Sequence, residues 1–560
     1  MNVLKLALLL LWAALALAPE VFSRVAGLEG FGPLAGYFVL LAATLFGIIA
    51  AAFVRSGALR WVSAVLFAGG ALVATGFAKA TGQFLTYDAF INMLGSRGFL
   101  GEALGQFGTP LAIALVFSLL LLLAIGLPAR GKWQLAPIAA CLPLAVLAGL
   151  TAMLFVRGGE GARGLPSSYT TLAYVGLYTA ESAMMPSAER DASKLPLDGE
   201  PAGHIVLVID ESVAGHYLDI NTSAGVETPL SREWPGLAIT NFGVVPSITN
   251  CSIGSNLGLR FGGKRENYRE ILASGASIWA YAKRAGMRTV YIDAQRTGGA
   301  LHNGMDEEER SQIDLFVQFD DTPILQRDQL AADRIAAELA NPQPSFILVN
   351  KVGAHFPIHD KYPDSHMRYA PALARGSYTE VADTGDRDGF DGTSESWRLY
   401  RNSYRNSISW SVGSFFERLL SNADLSSTIL IYTADHGQDL RADGRTGLTT
   451  HCTAEPIPAE GAVPLIVIAG ETREDARFVA QGNGSQYRIF PTIMTLMGYQ
   501  QAASRAAYGP DLFDPSREPD TFNARFNARL GQEPVWVSID AENLANPVRA
   551  DQGEGSLIEF

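Results

Sequence analysis

Five apolar stretches crowd the first 160 of 560 residues: Val3 to Ala18, Leu34 to Val54, Trp61 to Phe77, Leu111 to Leu127 and Leu135 to Val156. A hydrocarbon layer of ~30 Å takes about 20 helical residues at ~1.5 Å each, so each stretch reads as a membrane span. The first has the basic start and apolar core of a cleaved leader. Pro19-Glu20 offers no small-residue cleavage site, however, and more spans follow, so it is read as a retained anchor. With the N-terminus inside, the pieces on that side carry Lys5, Arg55, Arg60, Arg130 and Lys132 and no acid. Glu20, Glu29, Asp88, Glu102 and Glu160 all fall on the other side, as the inside preference of bases requires. Five crossings then deliver residues 157–560 to the outer face of the membrane.

Charge divides the chain in the same place. The first 160 residues hold nine Lys/Arg and five acids, net +4, and since the whole chain is −13 the remainder is −17. A hydrophobic, mildly basic third joined to an acidic remainder excludes a soluble single domain, a disordered chain and a general nucleic-acid binder. Residues 1–157 are expected to form a transmembrane domain with an external loop at 81–108. Pattern alone reads that loop as an interfacial amphipathic helix. Residues 158–203 are expected to be a linker carrying a helix at the membrane surface, marked by Tyr169, Leu172, Tyr174, Val175, Leu177 and Tyr178. Residues 204–560 form the outer domain.

From His204 short apolar runs alternate with helical ones, the pattern of an α/β domain with a mainly parallel central sheet. Strands are expected at Ile205–Ile209, Thr289–Ile292, Phe346–Asn350, Thr428–Thr433 and Pro464–Ile468. Helices are expected at Ile278–Ala285, Gln329–Leu339, Ser407–Leu420 and Ile489–Met497. Sites in such sheets lie beyond the carboxyl ends of strands. There this sequence places Asp210-Glu211-Ser212, Lys351 with His355, and Asp435-His436, with His451 in a later loop. Taken singly each histidine is more often a packing residue. Together, carboxylates and imidazoles on one face make a divalent-cation site, and the mixed O and N donors suit zinc, or manganese, better than magnesium. A Ser252–His436–Asp435 triad is less attractive, because an orienting acid must reach the far ring nitrogen and chain neighbours at a strand end diverge. The run from Val244 to Asn256 takes an apolar strand into a hydroxyl-rich turn and then a helical pattern, where free N–H groups hold a phosphate.

These residues together resemble the membrane-anchored phosphoethanolamine transferases of the alkaline phosphatase and sulfatase superfamily, over nearly the whole chain. Val206 to Ser212 is similar to the family strand ending in Gly-Glu-Ser, and Tyr432 to Gly437 to its Ser-Asp-His-Gly. Val352 to Pro357, with Tyr362-Pro363, is similar to its Gly-Ser-His-Gly-Pro and Tyr-Pro, and His451 matches its second substrate-side histidine. The resemblance implies Glu211, Asp435 and His436 as metal ligands together with the nucleophile oxygen, and His355 and His451 as residues that contact phosphate or move protons. The family nucleophile, commonly Thr, falls on Ser252, with Thr249 ranked second. Ser255 matches a hydroxyl that several superfamily members keep. Cys251 ranks last, because a formylglycine-forming cysteine needs Pro and Arg where Ile253 and Ser255 stand.

Some positions depart from the family. Asp210 replaces a Gly and is expected either behind the ligands or on a second metal. Lys351 has no counterpart and is expected to meet the phosphate. Asn92 and Ser96 match residues that address the lipid head group, but the family Glu is Leu100 here, with Glu102 as a substitute. Cys251 and Cys452 each neighbour a site residue and are expected to form one disulfide tying the Ser252 turn to the His451 loop, the alternative being two buried thiols.

The implied reaction is metal-dependent transfer of phosphoethanolamine from phosphatidylethanolamine through Ser252 to an envelope acceptor such as lipid A, the lipopolysaccharide core or another glycolipid. The setting would be a Gram-negative inner membrane with the catalytic domain in the periplasm, and the protein is expected as a monomer. The alternatives are a phosphoglycerol transferase using phosphatidylglycerol, a sulfatase- or phosphodiesterase-type hydrolase, and a non-catalytic lipid sensor on the same fold.

Overall fold

The computed structural model describes residues 2–95, 107–184, 190, 194–356, 358–359, 361–374, 390–447, 449–453, 455–471, 473, 478–480 and 484–544. Ser96, Leu100, Glu102 and Pro357 lie outside the described residues. The chain divides into two compact units, residues 1–186 with Asn527–Glu533, and residues 187–526 with 534–560.

In the first unit five helices are long and apolar enough to cross a membrane: Asn2–Ala26, Phe31–Phe53, Gly57–Thr81, Gly108–Gly126 and Pro137–Val156. The first runs straight through Pro19-Glu20, with a π-helical turn at Ala13–Leu17. Two of the bases assigned to the inner side are buried at helix ends. Lys5 Nζ donates to the carbonyls of Ala124, Ile125 and Leu127, and Arg60 Nε to Gly126 O, which caps the negative end of Gly108–Gly126 with cations.

The helix expected on the membrane surface spans Ser167–Met184 and falls within the first compact unit. It packs between Gly57–Thr81 and Cys141–Val156, with Tyr169, Tyr174 and Leu177 wholly buried. Gly70 permits this approach. A Cβ there would sit 3.2 Å from Leu172 Cγ and 3.3 Å from Ser168 O, and Thr171 Oγ1 donates to Gly70 O at 2.8 Å. Tyr169 and Tyr174 thus face the neighbouring helices, while Val175 and Tyr178 on the other face are exposed. In the external loop a helix runs from Tyr87 to Gly95, and Tyr87 and Phe90 are buried in the core of this unit, so the helix is anchored by packing.

The second unit is built on a seven-stranded sheet: β1 His204–Asp210, β2 Leu237–Pro246, β3 Arg288–Asp293, β4 Leu315–Gln318, β5 Ser345–Asn350, β6 Thr428–Ala434 and β7 Ala462–Gly470, in the order β2-β7-β6-β1-β5-β3-β4. Pairings from β6 through β4 are parallel, and β7 is antiparallel to both β6 and β2. A short hairpin of β8 Thr521–Asn523 and β9 Trp536–Ser538 stands apart. Central strands β1, β5 and β6 are buried along their whole length, and their uninterrupted Val/Ile/Leu runs are what a sheet covered on both faces selects. The expected strands are all present. The helix expected at Ser407–Leu420 instead runs as Ser394–Ile408, a π-helical turn Ser409–Ser414, and Phe415–Asn422.

Candidate active site and metal centre

β1 and β6 lie side by side in parallel register, with Asp210 opposite Ala434, so the next residues along each strand, Glu211 and Asp435, leave the sheet together. On the other side of β1, β5 leads into the loop of His355. The site therefore sits beyond the carboxyl ends of three adjacent strands, where the chain's direction of travel across the sheet changes.

Glu211, Asp435 and His436 bring one ligand atom each to within 4.8 Å of one another, all buried. His436 Nδ1 hydrogen-bonds Gly437 O at 2.7 Å, which turns Nε2 inward, 3.5 Å from Glu211 Oε1 and 3.6 Å from Asp435 Oδ2. Asp435 Oδ1 accepts the backbone N–H groups of Ser212 and His436, while its Oδ2 is buried with no hydrogen-bond partner. Ser212 holds a left-handed backbone, φ 61°, fixed by its own Oγ on Glu211 Oε1 at 2.8 Å and by Tyr404 OH on its carbonyl at 2.7 Å.

The three buried groups shift one another strongly. Burial and the neighbouring Glu211 push the Asp435 carboxyl up to about 8. Burial alone would lower His436, but Asp435 and Glu211 hold its imidazole up at about 9. Glu211 is likewise opposed by burial, and hydrogen bonding to His436 with the His355 and His436 charges holds it well below the carboxylate range. Two carboxylates and one imidazole aimed at a common point, with one oxygen orphaned, suit a divalent cation.

Ser252 opens the helix Ser252–Phe261, and its Oγ lies 3.1 Å from His436 Nε2 and 3.4 Å from Glu211 Oε1. Cys251 is bonded to Cys452, which takes it out of contention as a nucleophile and ties the Ser252 turn to the loop of His451. Thr249 is buried, and its N–H and carbonyl are both engaged by Ser255 Oγ, so Ser255 braces the turn from behind. Asn250 Nδ2 bonds Glu460 Oε2 at 2.9 Å, a second tie between the turn and the chain after His451. His451 stacks on His436 with ring centres 4.1 Å apart, and burial followed by the His436 charge keeps it well below the usual imidazole value. Burial also lowers His355, against the pull of the Glu211 charge.

Two assignments are corrected. Lys351 does not face a phosphate: its Nζ is fully buried, 2.6 Å from Asp210 Oδ2 and 2.6 Å from Ser411 O. Asp210 in turn spends Oδ2 on Lys351 and on Tyr432 OH and accepts Glu211 N–H at Oδ1, so it stands behind the cluster and is no ligand. The reason is charge. A third carboxylate beside Glu211 and Asp435 is tolerable in a buried site only with its own cation. Gly353 lets the β5 loop reach this pair: its φ is +55°, and a Cβ would stand 2.4 Å from Asp210 Oδ1. Asn92, in the membrane unit, accepts from Asn527 Nδ2 at 2.7 Å.

Sequence reasoning missed Gln295, whose Nε2 donates to Lys351 O at 2.7 Å and lies 3.3 Å from Glu211 Oε2. It lies two residues past the end of β3, so inspecting that strand's end, as for β1 and β6, would have found it.

The sulfatase family profile matches residues 204–499. No curated protein matches the sequence. Among solved structures, the integral membrane lipooligosaccharide phosphoethanolamine transferase A (EptA) of Neisseria meningitidis is similar with a TM-score of 0.61 at 17% identity, covering 90% of this chain and 99% of that one. The C-terminal periplasmic domain of EptC from Escherichia coli, in complex with zinc, is similar with a TM-score of 0.47 at 17% identity, covering 63% of this chain and 98% of that one. With the profile matched over more than half of its length, the site-bearing sheet included, the chain belongs to the sulfatase family.

Proposed function

We propose that this protein is a metal-dependent phosphotransferase that moves phosphoethanolamine from phosphatidylethanolamine to an envelope acceptor, lipid A, the lipopolysaccharide core or another glycolipid, through a covalent intermediate on Ser252. The observation that carries the reading is Ser252 Oγ at a helix N-terminus, 3.1 Å from His436 Nε2 and beside Glu211. The five apolar helices, and a fold shared along nearly the whole chain with a transferase named for lipooligosaccharide, support a lipid donor and an outer-face reaction.

Glu211, Asp435 and His436 would hold the cation, zinc by donor type, which lowers the pKa of the Ser252 hydroxyl and neutralises charge on the transferring group. Ser252 Oγ attacks phosphorus while the first N–H groups of Ser252–Phe261 bind a phosphoryl oxygen. The phosphorus bond to the diacylglycerol oxygen breaks, and the proton that Ser252 gives up passes through the imidazole of His355 or His451 to this oxygen. In the second half-reaction the same histidine pair takes the proton of an acceptor hydroxyl and returns it to Ser252 Oγ as the acceptor oxygen displaces that oxygen from phosphorus. Burial keeps both imidazoles poised as proton acceptors near neutral pH.

Intact-mass spectrometry of the detergent-purified protein with zinc and phosphatidylethanolamine tests this. The wild type is expected to gain a phosphoethanolamine adduct, Ser252→Ala none, and a chelator to abolish the adduct until zinc is returned. A phosphoglycerol adduct from phosphatidylglycerol would reassign the donor, and an adduct surviving in Ser252→Ala would move the nucleophile to Thr249. No adduct from either lipid with zinc bound would reject both lipids as donors and put another donor, a hydrolase or a lipid sensor ahead.

A further inference from the structure

The membrane unit holds an apolar groove of about 630 Å³ that the transfer reaction leaves unused, with Trp12, Ala13, Ile49, Phe53, Lys132 and Trp133 among its lining. It lies between the first two spans at their inner ends, since Lys132 and Trp133 belong to the connection between the fourth and fifth spans. An odd number of crossings puts that connection on the opposite side from the outer domain. The π-helical turn of the first span begins at Ala13, and such widened turns interrupt regular packing between helices.

The charges beside the groove have one sign. Arg55, Arg130 and Lys132 are exposed, none has a carboxylate partner among the described residues, and the connecting segments 54–57 and 127–137 contain no Asp or Glu. Lys5 and Arg60, by contrast, are consumed on backbone carbonyls. Lys132 lines the groove itself, and hydrogen bonds of their backbone N–H groups fix Arg55 and Arg130 nearby. Arg55 N donates to Leu135 O at 2.9 Å and Leu135 N to Phe53 O at 2.8 Å, while Arg130 N donates to Asn2 Oδ1 at 2.8 Å. Trp133 packs against Phe53 with ring centres 5.8 Å apart, and tryptophans beside a span end are enriched where lipid head groups lie.

We propose that this groove is a binding site for one anionic diacyl phospholipid of the inner leaflet, its acyl chain between the first two spans and its phosphate among Arg55, Arg130 and Lys132. A zwitterionic head group would bring its ammonium into three unpaired cations and lose the advantage, so the site selects by charge.

Native mass spectrometry of the delipidated full chain tests this, with phosphatidylglycerol or phosphatidylethanolamine added back and Ser252→Ala in every protein to prevent turnover. One phosphatidylglycerol is expected to be retained at least about five-fold more tightly than phosphatidylethanolamine, and Lys132→Gln to weaken it about five-fold. Ile49→Trp, which fills the groove and leaves every charge in place, is expected to abolish retention. Equal retention of the two lipids by the parent protein, or wild-type retention in either variant, would overturn the proposal. The Ser252 adduct, measured separately with Ser252 intact, is expected to be unchanged by Lys132→Gln. Its loss in step with the lipid would assign that lipid to the donor site and also overturn the proposal.

Discussion

Lys351 and Asp210 are both wholly buried and 2.6 Å apart, so truncating either strands a charge in a low-dielectric interior. Lys351→Met is expected to destabilise the outer domain by about 3–5 kcal/mol, and Asp210→Asn combined with it to recover most of the loss. Thermal midpoints of the detergent-solubilised variants check this, and equal midpoints for wild type and Lys351→Met would refute it. His216 carries a second residue-level consequence. Burial pulls its pKa down to about 4, and its Nδ1 is buried without a partner. Its unfolded value is about 6.5, so the unfolded chain binds the extra proton in between, and stability is whole above about 6.5 and falls as pH drops towards 4. The expected slope is about 1.4 kcal/mol per pH unit for this group, and His216→Gln should remove that part of the acid sensitivity in midpoints measured from pH 7 to pH 4.

At the scale of elements, the turn before Ser252–Phe261 matters most, because its position depends on the Cys251–Cys452 bond and on Asn250 with Glu460. The bond links residues 201 apart in sequence. Replacing both cysteines by Ala is expected to cost about 2–5 kcal/mol and to reduce adduct formation on Ser252, as is a reductant acting on the wild type. Adduct yield unchanged by reduction would show that the turn holds without it. Elements were legible where the local pattern was strong. β1, β5 and β6 are unbroken apolar runs ended by chemical side chains, so the polar cluster beyond them was legible, though not that Asp210 and Lys351 at those ends pair with each other. β4 is four residues long and β2 is a half-exposed edge strand broken by Thr240 and Asn241, so neither carried a periodic signal across its length. Ser394–Ile408 was missed because its buried face is polar, with Asn402, Arg405 and Asn406 bonding within the fold, and hydropathy cannot see such a face.

Across the whole molecule, the chain visits the membrane unit twice. Asn527–Glu533 belongs to that unit, with Leu530 packed on its core, Asn527 on Asn92, and Arg529 3.4 Å from Glu181, whose other partner is Tyr87 at 2.7 Å. An outer domain produced alone from residue 187 should therefore expose this segment, and trypsin should cut after Arg529 there much faster than in the full chain; equal cleavage would contradict the assignment. The sequence by itself determined five stretches long enough to span a membrane, the α/β outer domain and the placing of Glu211, Asp435 and His436 just beyond strand ends, while the choice of Ser252 and the roles of His355 and His451 rested on the family resemblance. Helix length, the sign of loop charge and the residues at strand ends are all encoded within a few neighbours. Only the tertiary structure decided that Lys351 serves Asp210 from 141 residues away, that one face of the helix at Ser167–Met184 packs against neighbouring helices, and that Asn527–Glu533 returns to the membrane unit. Those outcomes depend on which buried charge finds a counter-charge and which apolar face finds a partner, and neither is written in the spacing of residues along the chain.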